Sequence, residues 1–307
     1  MQIIVLGAGA IGSLYGAKLA TANDVTLIAR AEHAAAMNAR GLQIEGRDAG
    51  TVRVRAATKV QEIGTETLLV LTTKVSDTAA ALAPLAPLIR DDTTILCLQN
   101  GLGSEKITRA AIGTRGVVLR GITQFGAIFV RPGVIKFMIA RHTLIEQHER
   151  SRRIAEVFTG AGLDGRISSN INADVWQKLI FNCVVNPITA ILGSEVGAVA
   201  DLRLDPLKRL LIDECLAVAT AEGIQFESDF LSTINEVYAP SHNIASMRQD
   251  LMRGRKTEID YLNGAVVSLG EKHGIDCPVN RSLTTIIKAM EKQSATVPKD
   301  NARDAAV

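Results

Sequence analysis

The sequence predicts an α/β fold in which an N-terminal doubly wound parallel sheet is followed by a C-terminal all-helical domain. Three observations predict it. The chain opens on an apolar segment broken by glycines, IIVLGAGAIGSLYGAKL. Short apolar runs bounded by turn residues then alternate with helical stretches through the first half. From about Asn170 onward only helical periodicity remains. Composition agrees, since 307 residues allow two domains and 47% hydrophobic content with 4% aromatics describes aliphatic cores.

Residues 3–6 read as a short buried strand. Gly7-Ala8-Gly9-Ala10-Ile11-Gly12 fits G-x-G-x-x-G and opens an amphipathic helix that runs to about Thr21. Strand, glycine turn and helix form the Rossmann-type context for a dinucleotide. The first glycine permits the tight turn, the second lets the backbone approach a pyrophosphate, and the third lets helix and strand pack closely. A secretion signal would need a basic flank, yet only Gln2 precedes the run. A membrane helix would not carry glycines at 7, 9, 12 and 16, each costing about 1 kcal/mol relative to alanine.

Further strands are expected at residues 24–28, 66–72 and 93–98, with helical or turn-rich connections between them. Residues 116–145 are β-rich and broken by the turn signal Arg131-Pro132-Gly133, which predicts antiparallel structure finishing a first domain over 1–167. Apolar-periodic stretches at 171–192, 206–222, 241–273 and 279–292 predict a helical domain over 168–293. The remainder, 294–307, is polar and aperiodic and is expected to be a disordered tail.

The net charge of +2 comes without a basic run interleaved with aromatics, so neither nucleic acid nor a membrane surface is indicated as a partner. A small molecule is the expected partner, and a homodimer is compatible with the sequence without being required by it. Cys97, Cys183, Cys215 and Cys277 form no C-x-x-C pair, so no metal site or disulfide framework is indicated. Reduced thiols and a cytoplasmic location are the expectation.

The second strand ends in Arg30, where the NAD form of this fold carries an acidic residue. A guanidinium fork pairs with a 2′-phosphate, so NADPH is the expected cofactor, with Lys74 as a second cation at the same sheet edge. The competing reading makes Arg30 an ordinary surface arginine, and nearby Glu32 leaves NAD open.

In DVWQKLIFNCVVNP, Lys178, Asn182 and Asn186 recur every four positions on a helix that is otherwise apolar nearly all round. Two carboxamides and an ammonium suit an oxygen-rich substrate. Pro187 cannot donate to the carbonyl of Cys183, which predicts a local opening near Asn186. The competing reading pairs Lys178 with Asp174 on a solvated face. Further on, Thr257-Glu258-Ile259-Asp260 reads as a capping box that restarts a helix after Gly254. Glu258 then falls in the first turn, where the positive helix end favours an ionised acceptor.

With these motifs in order, the chain resembles the 2-dehydropantoate 2-reductase (ketopantoate reductase) family over nearly its whole length. The resemblance is carried by GAGAIGSLYGAKL, Arg30, TTK, QNGLG, WQKLIFNCVVNPITA and SMRQDLMRGRKTEIDYLNG. It implies NADPH-dependent reduction of 2-dehydropantoate to D-pantoate, with Lys178 as the catalytic general acid. Asn100, Asn182, Asn186, Ser246 and Glu258 match substrate-contacting positions. Gly7, Ala8, Gly9, Ala10, Ile11, Gly12, Arg30, Lys74 and Asn100 fall on the cofactor side. Some members carry an asparagine before a glycine downstream of N-P-x-T-A, where this chain has Val196-Gly197. The rival readings are a related NAD(P)-dependent 2-hydroxyacid dehydrogenase acting on another 2-oxo acid, and a noncatalytic NADPH-binding sensor.

Overall fold

The computed structural model describes residues 1–296 and divides into two compact units. The first comprises residues 1–99 and 103–171, and the second residues 100–102 and those from Asn172 onward. In chain order the first unit holds β1 (Gln2–Leu6), α1 (Ala10–Leu19), β2 (Asp24–Ile28), α2 (Ala31–Arg40), β3 (Leu42–Gly46), β4 (Gly50–Val52), β5 (Arg55–Ala57), β6 (Leu68–Leu71), α3 (Thr78–Leu82), β7 (Thr94–Cys97), α4 (Ser104–Ile112), β8 (Val117–Thr123), β9 (Gly126–Arg131), β10 (Val134–Ile139), β11 (Thr143–Glu146), α5 (Ser151–Gly160) and β12 (Gly165–Ser168).

Eight strands form the main sheet in the order β12-β11-β8-β7-β6-β1-β2-β5. Every pairing in it is parallel except that of β11 with β8. β6 and β7 are buried along their whole length, as are residues 3–6 of β1. That burial explains their unbroken apolar runs, since strands covered on both faces lose the polar alternation. β1 lies between β2 and β6, so the chain leaves it toward one edge and returns on the other side. The carboxyl ends of β1 and β6 therefore frame the switch point at which such sheets bind ligands.

The region 116–145 departs from the simple antiparallel block that its sequence predicts. β8 joins the main sheet parallel to β7. β9 and β10 form a hairpin across Pro132-Gly133 that belongs to a second sheet, ordered β4-β3-β10-β9, with β10 parallel to β3. Strands β3 and β4 were not foreseen, because LQIEGRDAGTV carries too little apolar alternation of its own. Pairing with β10, far along the chain, makes them strands. α1 packs against β1 and β2 on one side and against β3, β9 and β10 on the other. It is consequently buried nearly all round rather than amphipathic as expected, with Gly12 to Ala17 and Leu19 all inside.

The second unit holds α6 (Ile171–Leu192), α7 (Asp205–Ala221), α8 (Phe230–Tyr238), α9 (Ser246–Met252), α10 (Asn263–His273) and α11 (Pro278–Thr296). β12 and the residues up to Ile171 group with the first unit, a few residues past the expected boundary at 167/168. The helical stretch over 241–273 is interrupted at Gly254 as expected, but a 3-10 turn at Ile259–Tyr261 delays the restart to Asn263, and α8 was not foreseen. α11 continues through Thr296, into the segment expected to be tail, and residues 297–307 of that tail lie outside the described residues. α6 is the axis of this unit. Its Leu179, Ile180, Cys183 and Val184 share one apolar core with Cys215, Val218, Val266 and Ile287. Among the described residues α6 alone is long and apolar enough to cross a membrane, and burial in this core accounts for that composition.

A buried polar chain braces the glycine turn from beneath. Gly133 N–H donates to Nδ1 of His33 at 2.8 Å, which leaves the Nε2 proton to donate to Ser13 Oγ at 2.9 Å. Ser13 in turn donates to the carbonyl of Ala8 at 3.3 Å. His33 is only 4% exposed and packs edge-on against Phe129. Burial holds the His33 pKa below its ordinary value, so the folded protein keeps the ring neutral. Stability from this neutral ring is complete above the unfolded value of about 6.5 and declines as pH falls from there toward the depressed folded value. The unfolding midpoint should therefore fall as pH drops below about 6.5, and His33→Gln should remove that component of the decline.

Candidate active site

The turn after β1 is shaped by close approaches that exclude side chains. Gly7 has φ +105, and a Cβ there would lie 2.6 Å from the Thr73 amide nitrogen. A Cβ at Gly12 would lie 2.5 Å from Thr72 Oγ1 and closer still to the Gly7 carbonyl oxygen. Packing inside the protein thus explains two of the three motif glycines. Gly9 is different: its φ is −77, it is exposed, and a Cβ would meet no protein atom nearer than 4.0 Å. Its missing side chain leaves room for something that is not protein.

That space faces a helix start with unmet donors. The first internal hydrogen bond of α1 runs from Ser13 N–H to the Gly9 carbonyl at 2.9 Å. The amides of Ala10, Ile11 and Gly12 precede it, and α1 has neither a side-chain cap nor an acidic residue in its first turn. Such an end attracts an anion. Thr72 fastens the neighbouring strand end, donating from its backbone to Leu6 O at 3.0 Å and from its hydroxyl to Gly7 O at 2.9 Å. Arg30 follows β2 and caps α2 from an exposed position, with Glu32 in the first turn of that helix. Lys74 follows β6 and is half-buried. The glycine turn, Arg30 and Lys74 thus stand at the carboxyl ends of three adjacent strands, β1, β2 and β6.

Past β7, the Gln99 carbonyl accepts a hydrogen bond from Arg120 Nη2 at 2.9 Å. Arg120 Nη1 donates to Ser104 Oγ. This guanidinium, 4% exposed, braces both ends of the connecting loop. Reading the sequence missed Arg120, although one charge inside VVLRGIT is a usable signal, because a buried strand retains a charge only where it has partners. Residues 100–102 group with the helical unit. A Cβ at Gly101 would lie 3.0 Å from the Tyr261 carbonyl carbon, and Leu102 N–H donates to the Tyr261 oxygen at 3.0 Å. Asn100 Nδ2 donates to Glu258 Oε2 at 3.3 Å.

The structure therefore joins two candidate residues 158 positions apart. Ser246 begins α9 and is exposed. Glu258 does not lie in the first turn of an α-helix. It precedes the 3-10 turn, and α10 begins only at Asn263. The capping box fails because Glu291 of α11 takes both the amide and the hydroxyl of Thr257, each at 2.7 Å, while Asp260 pairs with Lys288 at 2.8 Å. Glu258 accepts a hydrogen bond from the side-chain amide of Asn100 from its place ahead of the 3-10 turn.

α6 carries the polar stripe on one continuous helix, with Lys178 and Asn182 half-buried and Asn186 7% exposed. The residues between them enter the core, so the stripe is the polar break in a buried surface. Val196-Gly197 serves packing: Val196 is buried, its amide donates to Asn243 O at 2.8 Å, and Gly197 N–H donates to Ser241 O at 2.8 Å.

An anion cradle at a sheet switch point, with an ammonium and carboxamides lined up on a separate helical unit, is the equipment of a nicotinamide-dependent oxidoreductase. Comparison with known proteins narrows the class. The chain belongs to the ketopantoate reductase family: residues 3–150 match the family model described as "Ketopantoate reductase PanE/ApbA", and residues 170–291 match its C-terminal counterpart. It is similar to the 2-dehydropantoate 2-reductase of Pyrococcus horikoshii, with 36% identity over 95% of this chain and 98% of that one. Among solved structures it is similar to a PanE/ApbA family ketopantoate reductase from Ralstonia eutropha JMP134, with a TM-score of 0.89, 30% identity and coverage of 96% and 99% of the two chains. It is also similar to a D-mandelate dehydrogenase solved with NADH and anilino(oxo)acetate, with a TM-score of 0.87, 26% identity and the same coverage.

Proposed function

We infer that this chain reduces 2-dehydropantoate to D-pantoate with NADPH, in the route to pantothenate and coenzyme A. The observation that carries the reading is the stripe of Lys178, Asn182 and Asn186, set among Leu179, Ile180, Cys183, Val184 and Val185, which enter the core. The glycine turn fits the cofactor, because Gly9 is the one motif glycine whose open space the protein does not fill. The amides of residues 10–12 would hold its pyrophosphate, and Arg30 its 2′-phosphate. The dihydronicotinamide, when bound, supplies the hydride that reduces the C2 carbonyl.

Lys178 is assigned the proton. An ammonium beside the carbonyl oxygen stabilises the charge that develops there and then donates to it, a role that contributes about 10² to 10⁴ in rate. Asn182, Asn186 and the Glu258–Asn100 pair are assigned to the substrate's oxygens, with Glu258 accepting from its terminal hydroxyl, and Ser246 to its carboxylate. The similarity to a D-mandelate dehydrogenase gives weight to a second reading, an NADH-dependent 2-hydroxyacid dehydrogenase. The substrate hydroxyl separates the two.

The deciding assay follows NADPH absorbance with 2-dehydropantoate and with 2-oxoisovalerate, which has a similar shape but lacks the hydroxyl. Unpaired polar groups should cost the second substrate about 10²-fold or more in kcat/KM. Equal values would support the broader dehydrogenase. Lys178→Ala should lower kcat by at least about 10²-fold while leaving NADPH affinity nearly unchanged, and an unaltered kcat would remove the lysine from the chemical step. Arg30→Ala should raise KM for NADPH much more than for NADH, as steady-state kinetics with both cofactors would show.

A further inference from the structure

Pro187 lies inside α6 and has no amide proton, so the carbonyl of Cys183 cannot receive the hydrogen bond that the helix would otherwise give it. Cys183 is fully buried, and a buried carbonyl without a partner is costly. The missing donor comes from 80 residues away: Asn263 Nδ2 donates to Cys183 O at 2.9 Å. Asn263 also donates to Asn280 Oδ1 at 2.9 Å, and Asn280 Nδ2 donates to Glu214 Oε2 at 2.7 Å. The same carboxylate receives the amides of Val279 and Asn280 at 2.8 and 2.9 Å, at the N-terminus of α11.

The direction of this chain is fixed at both ends. A peptide carbonyl and a carboxylate can only accept, so each carboxamide between them has one workable orientation. Asn263 and Asn280 are both fully buried, and Asn263 Oδ1 has no hydrogen-bond partner among the described residues. Asn263 is therefore committed to donating, at the expense of its own acceptor. It begins α10 directly after the 3-10 turn that follows Glu258. One carboxamide thus ties the Cys183 carbonyl of α6, between Asn182 and Asn186, to the segment that carries Glu258.

We propose that Asn263 is a positioning residue, standing in for the amide that Pro187 lacks and so fixing the Lys178, Asn182 and Asn186 stripe relative to Glu258. Its effect on turnover rests on the stripe being the substrate site. The test compares Asn263→Ala, Pro187→Ala and the double variant in the full-length chain, using thermal unfolding and the NADPH assay with 2-dehydropantoate. Asn263→Ala should lower the unfolding midpoint by about 3 °C or more. It should lower kcat about tenfold or more, with KM for NADPH within about twofold. Pro187→Ala restores an amide that can reach Cys183 O. The double variant should therefore regain the part of the lost midpoint that comes from Cys183 O, though not the part owed to Asn280 Oδ1, or regain solubility if Asn263→Ala alone does not fold, while kcat stays low because the stripe is no longer held to the Glu258 segment. An unchanged kcat in folded Asn263→Ala, or equal thermal losses from Asn263→Ala with and without Pro187, would overturn the proposal. If the parent protein does not reduce 2-dehydropantoate, the functional reading fails, and the thermal coupling still decides whether Asn263 replaces the Pro187 amide.

Discussion

A buried peptide group must have a hydrogen-bond partner, and the local architecture follows from the places where helix and strand ladders cannot supply one. Gln99, just past the end of β7, has its carbonyl taken by the buried guanidinium of Arg120. The Cys183 carbonyl, left over by Pro187, is taken by Asn263. The first amides of α11 are taken by Glu214, and the Thr257 amide by Glu291. Each of these polar side chains comes from a distant stretch of the sequence, so each also fixes the relative position of two elements that hydrophobic packing alone would leave free to slide.

The contrast comes at the start of α1. There the amides of residues 10–12 precede the first helical bond, no side chain caps the helix, and no acidic residue lies in the first turn. Everything beneath them is secured, by Thr72 at the strand end and by the Ser13 and His33 chain under the turn. A rigid turn with open donors binds an anion without having to order itself first, and ordering costs are a large part of what weakens binding.

Much of the fold could be read along the chain, because helix and strand periodicity are local properties. β1, α1, β2, β6, β7, α6, α7 and α11 fall within a few residues of their expected positions. β3 and β4 could not be read, since their strand character depends on β10, nor could the 3-10 break at Ile259–Tyr261, although the break at Gly254 could. Among the candidate residues, the glycine turn and the α6 stripe follow from spacing alone. Arg120, His33 and Asn263 were missed, because a single polar residue in an apolar stretch shows only that it needs a partner and does not say which one.

Glu258 shows most directly where local reading ends. Thr257-Glu258-Ile259-Asp260 has every residue that a capping box requires, yet Glu291 and Lys288, both on α11, claim its terminal residues and leave Glu258 facing Asn100. By itself the sequence determined the α/β and helical halves, the glycine turn after β1 and the face of α6 that stays polar, since each depends on residues within a turn or two of one another. Tertiary structure alone decided which side chains complete the buried hydrogen bonds and which carboxylate meets which amide. The Arg120–Gln99 and Glu258–Asn100 pairings join residues 21 and 158 positions apart, and the energy of a hydrogen bond depends on distance in space and carries no trace in sequence spacing.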